Sequence, residues 1–165
     1  MTDKVKKAAI VIVGYPCCCK KTLPTFIKNV LDANKDYHID THLVTYEEYY
    51  YSDKSIELAI QNLKPKSLIL LPNRFLERNK EYARLRKIIN KSINNNCPTM
   101  RSLLPQITQM SLAAREIQQN EEQYDIVMNT RFDILYESEI CFNDITGSTG
   151  FSDEIFCVKN FTYKY

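Results

Sequence analysis

The sequence has little glycine, little net charge and no long apolar run, and each absence excludes a class of protein. With three glycines in 165 residues, it has neither a G-x-G-x-x-G loop nor a Walker A loop to cradle phosphates. No stretch approaches the roughly 18 apolar residues of a membrane span. The early run from Ala8 to Val13 is shorter than a signal-peptide core of about 7–15 residues. We therefore expect a cytoplasmic protein without a membrane span.

The charge balance and the cysteine positions argue against two further kinds of protein. The 22 Lys and Arg residues nearly balance the 20 Asp and Glu residues, for a net charge of +2, which leaves no basic footprint for a nucleic-acid partner. Half of the six cysteines are consecutive, Cys17 to Cys19, and adjacent cysteines rarely satisfy disulfide geometry with each other. Because no C-x-x-C pair exists, we interpret the cysteines as reduced thiols rather than as a disulfide or zinc framework.

Alternating strand and helix patterns predict an α/β fold, as one domain over residues 1–165, with a mainly parallel sheet of about five or six strands between helices. Apolar and β-branched runs predict strands at 8–14, 38–46, 67–71, 125–133 and 153–158. Amphipathic periods predict helices at 23–33, 53–63, 77–94 and 102–121. Thr22 is the expected start of the first helix, the aromatic cluster at 46–51 is expected to be a loop, and so is 143–152.

The segment from Tyr124 to Tyr136 carries the most chemistry. As a strand it places alternate side chains on opposite faces. One face then carries Asn129, Arg131 and Asp133, which are costly to bury unless they pair or line a cleft. Arg131 and Asp133 fall at the carboxyl end, where open α/β sheets bind ligands. Two interpretations stay open: an Arg131–Asp133 ion pair, or a diphosphate site with a divalent metal on Asp133 and phosphate on Arg131.

This segment resembles the Y-D-x-V-x-x-x-R-x-D motif of nucleotide-sugar-dependent glycosyltransferases of large DNA viruses and bacterial surface-polysaccharide clusters. Three other stretches resemble further segments of that family in the same order. They are its opening strand and first helix at 10–26, its D-x-F-x-H-T-W strand at 40–46, and its late G-x-x-D-x-F-x-x-G segment at 150–158. The resemblance covers nearly the whole chain and implies a GT-A-type, Rossmann-like fold that is short at its C-terminus.

The resemblance also implies roles for individual residues. Asp133 would bind the metal, Mn²⁺ or Mg²⁺, and Arg131 the diphosphate. Gly14 and Tyr15 would border the nucleotide, and Tyr46 would lie near the base or ribose.

The activity implied is sugar transfer from a nucleotide-sugar donor, linked to UDP or GDP, to a glycan or glycoprotein acceptor. Asp153 would face the acceptor and serve as general base if the enzyme inverts the sugar configuration. A viral member of the family would act in the host cytoplasm.

Other readings of the same residues remain open. Cys17–Cys19 stands where the family often has Arg, and the strand at 40–46 lacks the family's Phe, His and Trp. These differences favour a non-catalytic nucleotide or sugar-nucleotide binding module. A flavodoxin-like interaction domain, in which Arg131 and Asp133 merely pair, is a further alternative. A nucleophilic cysteine in Cys17–Cys19 and a metal pair of His38 and His42 are also conceivable.

Overall fold

The computed structural model describes residues 5–16, 18–52, 54–72, 80, 83–84, 87, 98–119 and 123–144. The strands are β1 Lys6–Val13, β2 Tyr37–Tyr46, β3 Ser67–Leu71 and β4 Ile126–Arg131. The helices are α1 Cys19–Phe26, α2 Glu47–Ser52, α3 Lys54–Leu63 and α4 Pro98–Gln119. After α1 the chain continues through a π-helical segment, Ile27–Leu31, and a 3₁₀ turn, Asp32–Asn34. In the described part of the chain, no helix has both the length and the apolarity needed to cross a membrane.

The four strands form one sheet in the order β3-β2-β1-β4, and all neighbouring pairs are parallel. The predicted α/β class with a mainly parallel sheet between helices is therefore confirmed. The near-continuous apolar sequence of β1 follows from its central position, because a strand inside a parallel sheet is buried on both faces. Its last six residues, Ala8–Val13, are all buried.

The helices divide between the two faces of the sheet. On one face Ile10 and Ile12 pack in a cluster with Phe26 of α1 and Ile56 of α3. On the other face Ala9, Val11 and Val13 share a smaller cluster with side chains of α4. Helices α1 and α3 therefore cover one face of the sheet, and α4, which precedes β4, covers the other.

An extended segment after β4 is packed across the α1 face. Asn29 donates a side-chain hydrogen bond to the Tyr136 carbonyl (2.6 Å), and its own carbonyl accepts from Ile140 N–H (2.8 Å). Asn34 donates to the Ile140 carbonyl (2.6 Å) and accepts from Phe142 N–H (2.7 Å). Buried asparagines of the π and 3₁₀ segments thus satisfy backbone polar groups of a segment that pairs with none of the described strands.

Several sequence predictions differ from the structure. The strand predicted at 125–133 ends at Arg131, so Asp133 lies in the turn after β4 and not in the strand. Helix α1 begins at Cys19, three residues before Thr22, and its N-cap residue Cys18 makes no side-chain capping bond. The stretch at 46–51 was expected to be a loop, whereas residues from Glu47 on form α2, whose first turn has two acidic residues that interact favourably with the helix dipole. The strand predicted at 153–158, most of the helix predicted at 77–94 and most of the loop at 143–152 lie outside the described residues.

Candidate functional site

The carboxyl ends of β1, β2 and β4 bring most of the predicted site residues to one edge of the sheet. In the register of the strands, Val13 pairs with both Val44 of β2 and Arg131 of β4. Gly14 follows Val13 directly, so its backbone lies between the ends of β2 and β4. α1 follows β1 and α4 precedes β4, and they cover opposite faces of the sheet. The carboxyl ends of β1 and β4 therefore form a topological switch point, the place at which doubly wound sheets bind ligands.

The turn after β1 has a backbone that no side chain covers at Gly14. Gly14 has a φ of +105°, which a side chain would strain, and a Cβ added there would meet no atom within 4 Å. Its N–H donates to the Val44 carbonyl (3.2 Å), and its carbonyl accepts from the Thr45 hydroxyl (3.0 Å). These two bonds fix the turn to β2. The next residue, Tyr15, is 47% exposed, which leaves its ring accessible from solvent at this edge.

The turn after β4 holds an ion pair. Arg131 Nε donates to Asp133 Oδ1 (2.7 Å), and a terminal guanidinium nitrogen contacts Oδ2, so the pair is bidentate. The Arg131 and Asp133 side chains remain 26% and 29% exposed. The structure therefore contains the Arg131–Asp133 ion pair that the first interpretation predicted. The same planar fork is the group that recognises phosphate in other settings.

Buried contacts below the ion pair hold this turn in place. The Thr22 hydroxyl donates to the Phe132 carbonyl at 2.6 Å. Thr130 and Tyr136 share a hydrogen bond through their hydroxyls, and Tyr136 N–H donates to the Thr25 hydroxyl at 3.2 Å. Burial raises the pKa of Tyr136 to about 12, although its bond with Thr130 acts in the opposite direction. Local sequence offers no signal for this role of Thr22, because its partner carbonyl is 110 residues away.

Tyr46 ends β2 at the same edge and packs against the cluster under α4. Gly14, Tyr15, Tyr46, Arg131 and Asp133 therefore occupy the ends of three adjacent strands. Asp153, the predicted general base, lies outside the described residues.

The histidines do not form a common site in this structure. His38 is largely exposed and its Nε2 lies 3.4 Å from Asp40. His42 is buried, and its Nδ1 lies 2.8 Å from the Ser67 hydroxyl. Among the residues that the structure describes, no group of three metal-ligating side chains occurs. The described cysteines, Cys18, Cys19 and Cys141, are free thiols.

Comparison with known proteins adds no relative to this picture. No family model matches the chain, and no curated protein and no solved structure matches it either.

Proposed function

We propose that this chain binds a nucleotide sugar through its diphosphate at the carboxyl edge between β1 and β4, and that it acts as a GT-A-type glycosyltransferase. The main support is the register of the two strands, which pairs Val13 with Arg131. This pairing puts Gly14 and Arg131 at neighbouring strand ends on the same edge of the sheet. A backbone that a ligand can approach and a planar cation are together suited to a diphosphate.

In this proposal Arg131 carries the electrostatic part of the reaction. Its fork would donate to diphosphate oxygens and stabilise the negative charge that develops as the sugar leaves. Gly14 would allow the close approach of the diphosphate, and the exposed ring of Tyr15 would border the nucleotide. Tyr46, at the end of β2, would lie toward the base or ribose.

A divalent ion, Mn²⁺ or Mg²⁺, on Asp133 belongs to the same proposal. Such ions often use one or two protein carboxylates together with substrate phosphates, so a single aspartate is compatible with one. When bound, the ion would neutralise part of the charge on the departing diphosphate. In the described arrangement both Asp133 oxygens accept from Arg131, so an ion on Asp133 would either share the carboxylate with Arg131 or replace it.

The acceptor half of the proposal rests on sequence resemblance. Asp153 would take a proton from the acceptor hydroxyl if the sugar configuration is inverted. The acceptor would be a glycan or glycoprotein, and the donor would be linked to UDP or GDP.

Titration calorimetry of the full chain with UDP, GDP and a panel of their sugars, each with and without Mn²⁺, tests the proposal. We expect one nucleotide series to bind, and Arg131→Ala to weaken that binding by about 10- to 100-fold, as expected for one charge-assisted contact. Lys35→Ala is the matched control, because the Lys35 side chain is 76% exposed and its Nζ lies 3.4 Å from Asp32 Oδ1, away from this edge. Its affinity should equal that of the wild type.

A second candidate function is favoured by the ion pair itself. If Arg131 and Asp133 serve only each other, the chain is a flavodoxin-like interaction domain, and no nucleotide binds in the calorimeter. Binding without release of sugar or transfer to any acceptor would instead identify a non-catalytic nucleotide-sugar binding module.

A further inference from the structure

The Arg131–Asp133 pair has the geometry of the contact that a diphosphate would make. The carboxylate accepts from Nε and from a terminal nitrogen of the same guanidinium. Two oxygens of a phosphate group bind an arginine fork in the same bidentate way. Asp133 therefore occupies the Nε side of the guanidinium, and a diphosphate that approaches this side would compete with it for the same donors.

The turn that carries the pair also has a support that does not involve the guanidinium. Arg131 and Asp133 are two residues apart, so their contact joins no distant parts of the chain. The turn between them is held instead by the bond from Thr22 to the Phe132 carbonyl. Because this bond is buried and independent of the guanidinium, the turn can keep its place when the ion pair opens.

Solvent reaches both partners, since each side chain is more than a quarter exposed. An ion pair of this kind is only modestly favourable, because water competes for both charges. An incoming anion can therefore replace the carboxylate without uncovering a buried charge.

We propose that Asp133 is an internal competitor that occupies the phosphate-binding fork of Arg131 while the donor site is empty. Diphosphate binding then requires an exchange of partners on Arg131, and the exchange releases the Asp133 carboxylate. This inference rests on the proposed function, because it concerns the same site. It adds that Asp133 opposes diphosphate binding when no metal is present.

Calorimetry with inorganic pyrophosphate and a metal chelator tests the competition. Asp133→Asn should bind pyrophosphate about three- to tenfold more tightly than the wild type, because the carboxylate no longer competes for the two donors that it occupies. Asp133→Ser is a second variant that should give the same gain. Misfolding cannot produce this result, since an unfolded chain would lose affinity rather than gain it.

The double variant Arg131→Ala/Asp133→Asn separates competition from simple charge repulsion. If Asp133 acts by occupying Arg131, Asp133→Asn has no effect once Arg131 is alanine. If Asp133 merely repels the anion, the gain persists without Arg131, and the inference is overturned.

The two proposals fail in different ways. Wild-type binding of a nucleotide without a gain in Asp133→Asn and Asp133→Ser would overturn the competition and leave the proposed function intact. Failure of every variant to bind pyrophosphate or any nucleotide would overturn both.

Discussion

The two ends of the sheet use an aspartate in opposite ways. Toward the amino ends of the strands, Asp40 of β2 accepts from Lys66 Nζ (2.8 Å) and from the Tyr124 hydroxyl (2.7 Å). These partners are 26 and 84 residues away along the chain. At the carboxyl ends, Asp133 accepts from Arg131, two residues before it. The first aspartate connects three segments of the fold, whereas the second closes a contact within one turn.

The difference lies in what each contact holds together. Burial alone would raise the pKa of Asp40, but the hydrogen bonds from Lys66 and Tyr124, with the positive charges of Lys66 and His38, outweigh it and lower that pKa. Tyr124 also packs edge to face on His42. Asp40, Lys66 and Tyr124, which we call the Asp40 cluster, therefore stabilise the fold. The contact between Arg131 and Asp133 joins residues only two apart, so we expect it to contribute less to the fold.

The largest effect on stability should come from the amino end. Asp40→Ala removes an acceptor of Lys66 and Tyr124 and should lower the free energy of unfolding by about 1.5–3 kcal/mol, the range for hydrogen bonds to charged groups. Urea denaturation of the full chain measures it. The control is Asp32→Ala, because Asp32 is 51% exposed and forms a local pair with Lys35. That variant should cost less than about 0.5 kcal/mol, and an equal loss in both variants would contradict the comparison.

The fold was largely predictable because its central strand, β1, carries a continuous buried apolar run. Apolar or β-branched residues form most of β1 and β3 and the second half of β2, and the predicted strands match the observed bounds within about two residues. The start of α1 was not predictable, since Cys18 offers no capping signal. Thr22 looked like a capping residue, yet its hydroxyl bonds to the Phe132 carbonyl. That contact depends on tertiary structure and is not visible in local sequence.

The candidate site was predictable only in part. The alternation along 124–136 identified Arg131 and Asp133 because their spacing is local. The adjacency of β1 and β4, which puts Gly14 and Arg131 at neighbouring strand ends, depends on strand order, and local pattern does not determine the order of parallel strands. The Asp40 cluster was missed for the same reason, since Asp40, Lys66 and Tyr124 meet only in the folded chain.

A smaller effect is expected below the Arg131–Asp133 turn, at Tyr136. Tyr136→Phe removes the buried bond with Thr130 and should cost about 1–2 kcal/mol at pH 7. The pKa of Tyr136 is about 12 in the folded protein, against 10 for an unperturbed tyrosine. Between these values the unfolded chain releases the proton and the folded chain keeps it, so the contribution of Tyr136 to stability falls as the pH rises.

Urea denaturation of wild type and Tyr136→Phe at pH 8 and pH 11 checks this sign. The advantage of the wild type should shrink at the higher pH. An advantage that is unchanged or larger at pH 11 would show that Tyr136 does not stay protonated in the folded state.

The smallest effect should come from the ion pair. The double variant Arg131→Ala/Asp133→Ala should change the free energy of unfolding by less than about 1 kcal/mol, because a partly exposed local pair contributes little. Thr22→Val is the matched comparison, since it removes the buried bond to the Phe132 carbonyl and should cost more. Urea denaturation of both variants gives the order. If the double variant is the more destabilised, the ion pair is a structural element of the turn. If the double variant is nearly neutral, the pair contributes little to the stability of the fold, in contrast to the contacts of Asp40.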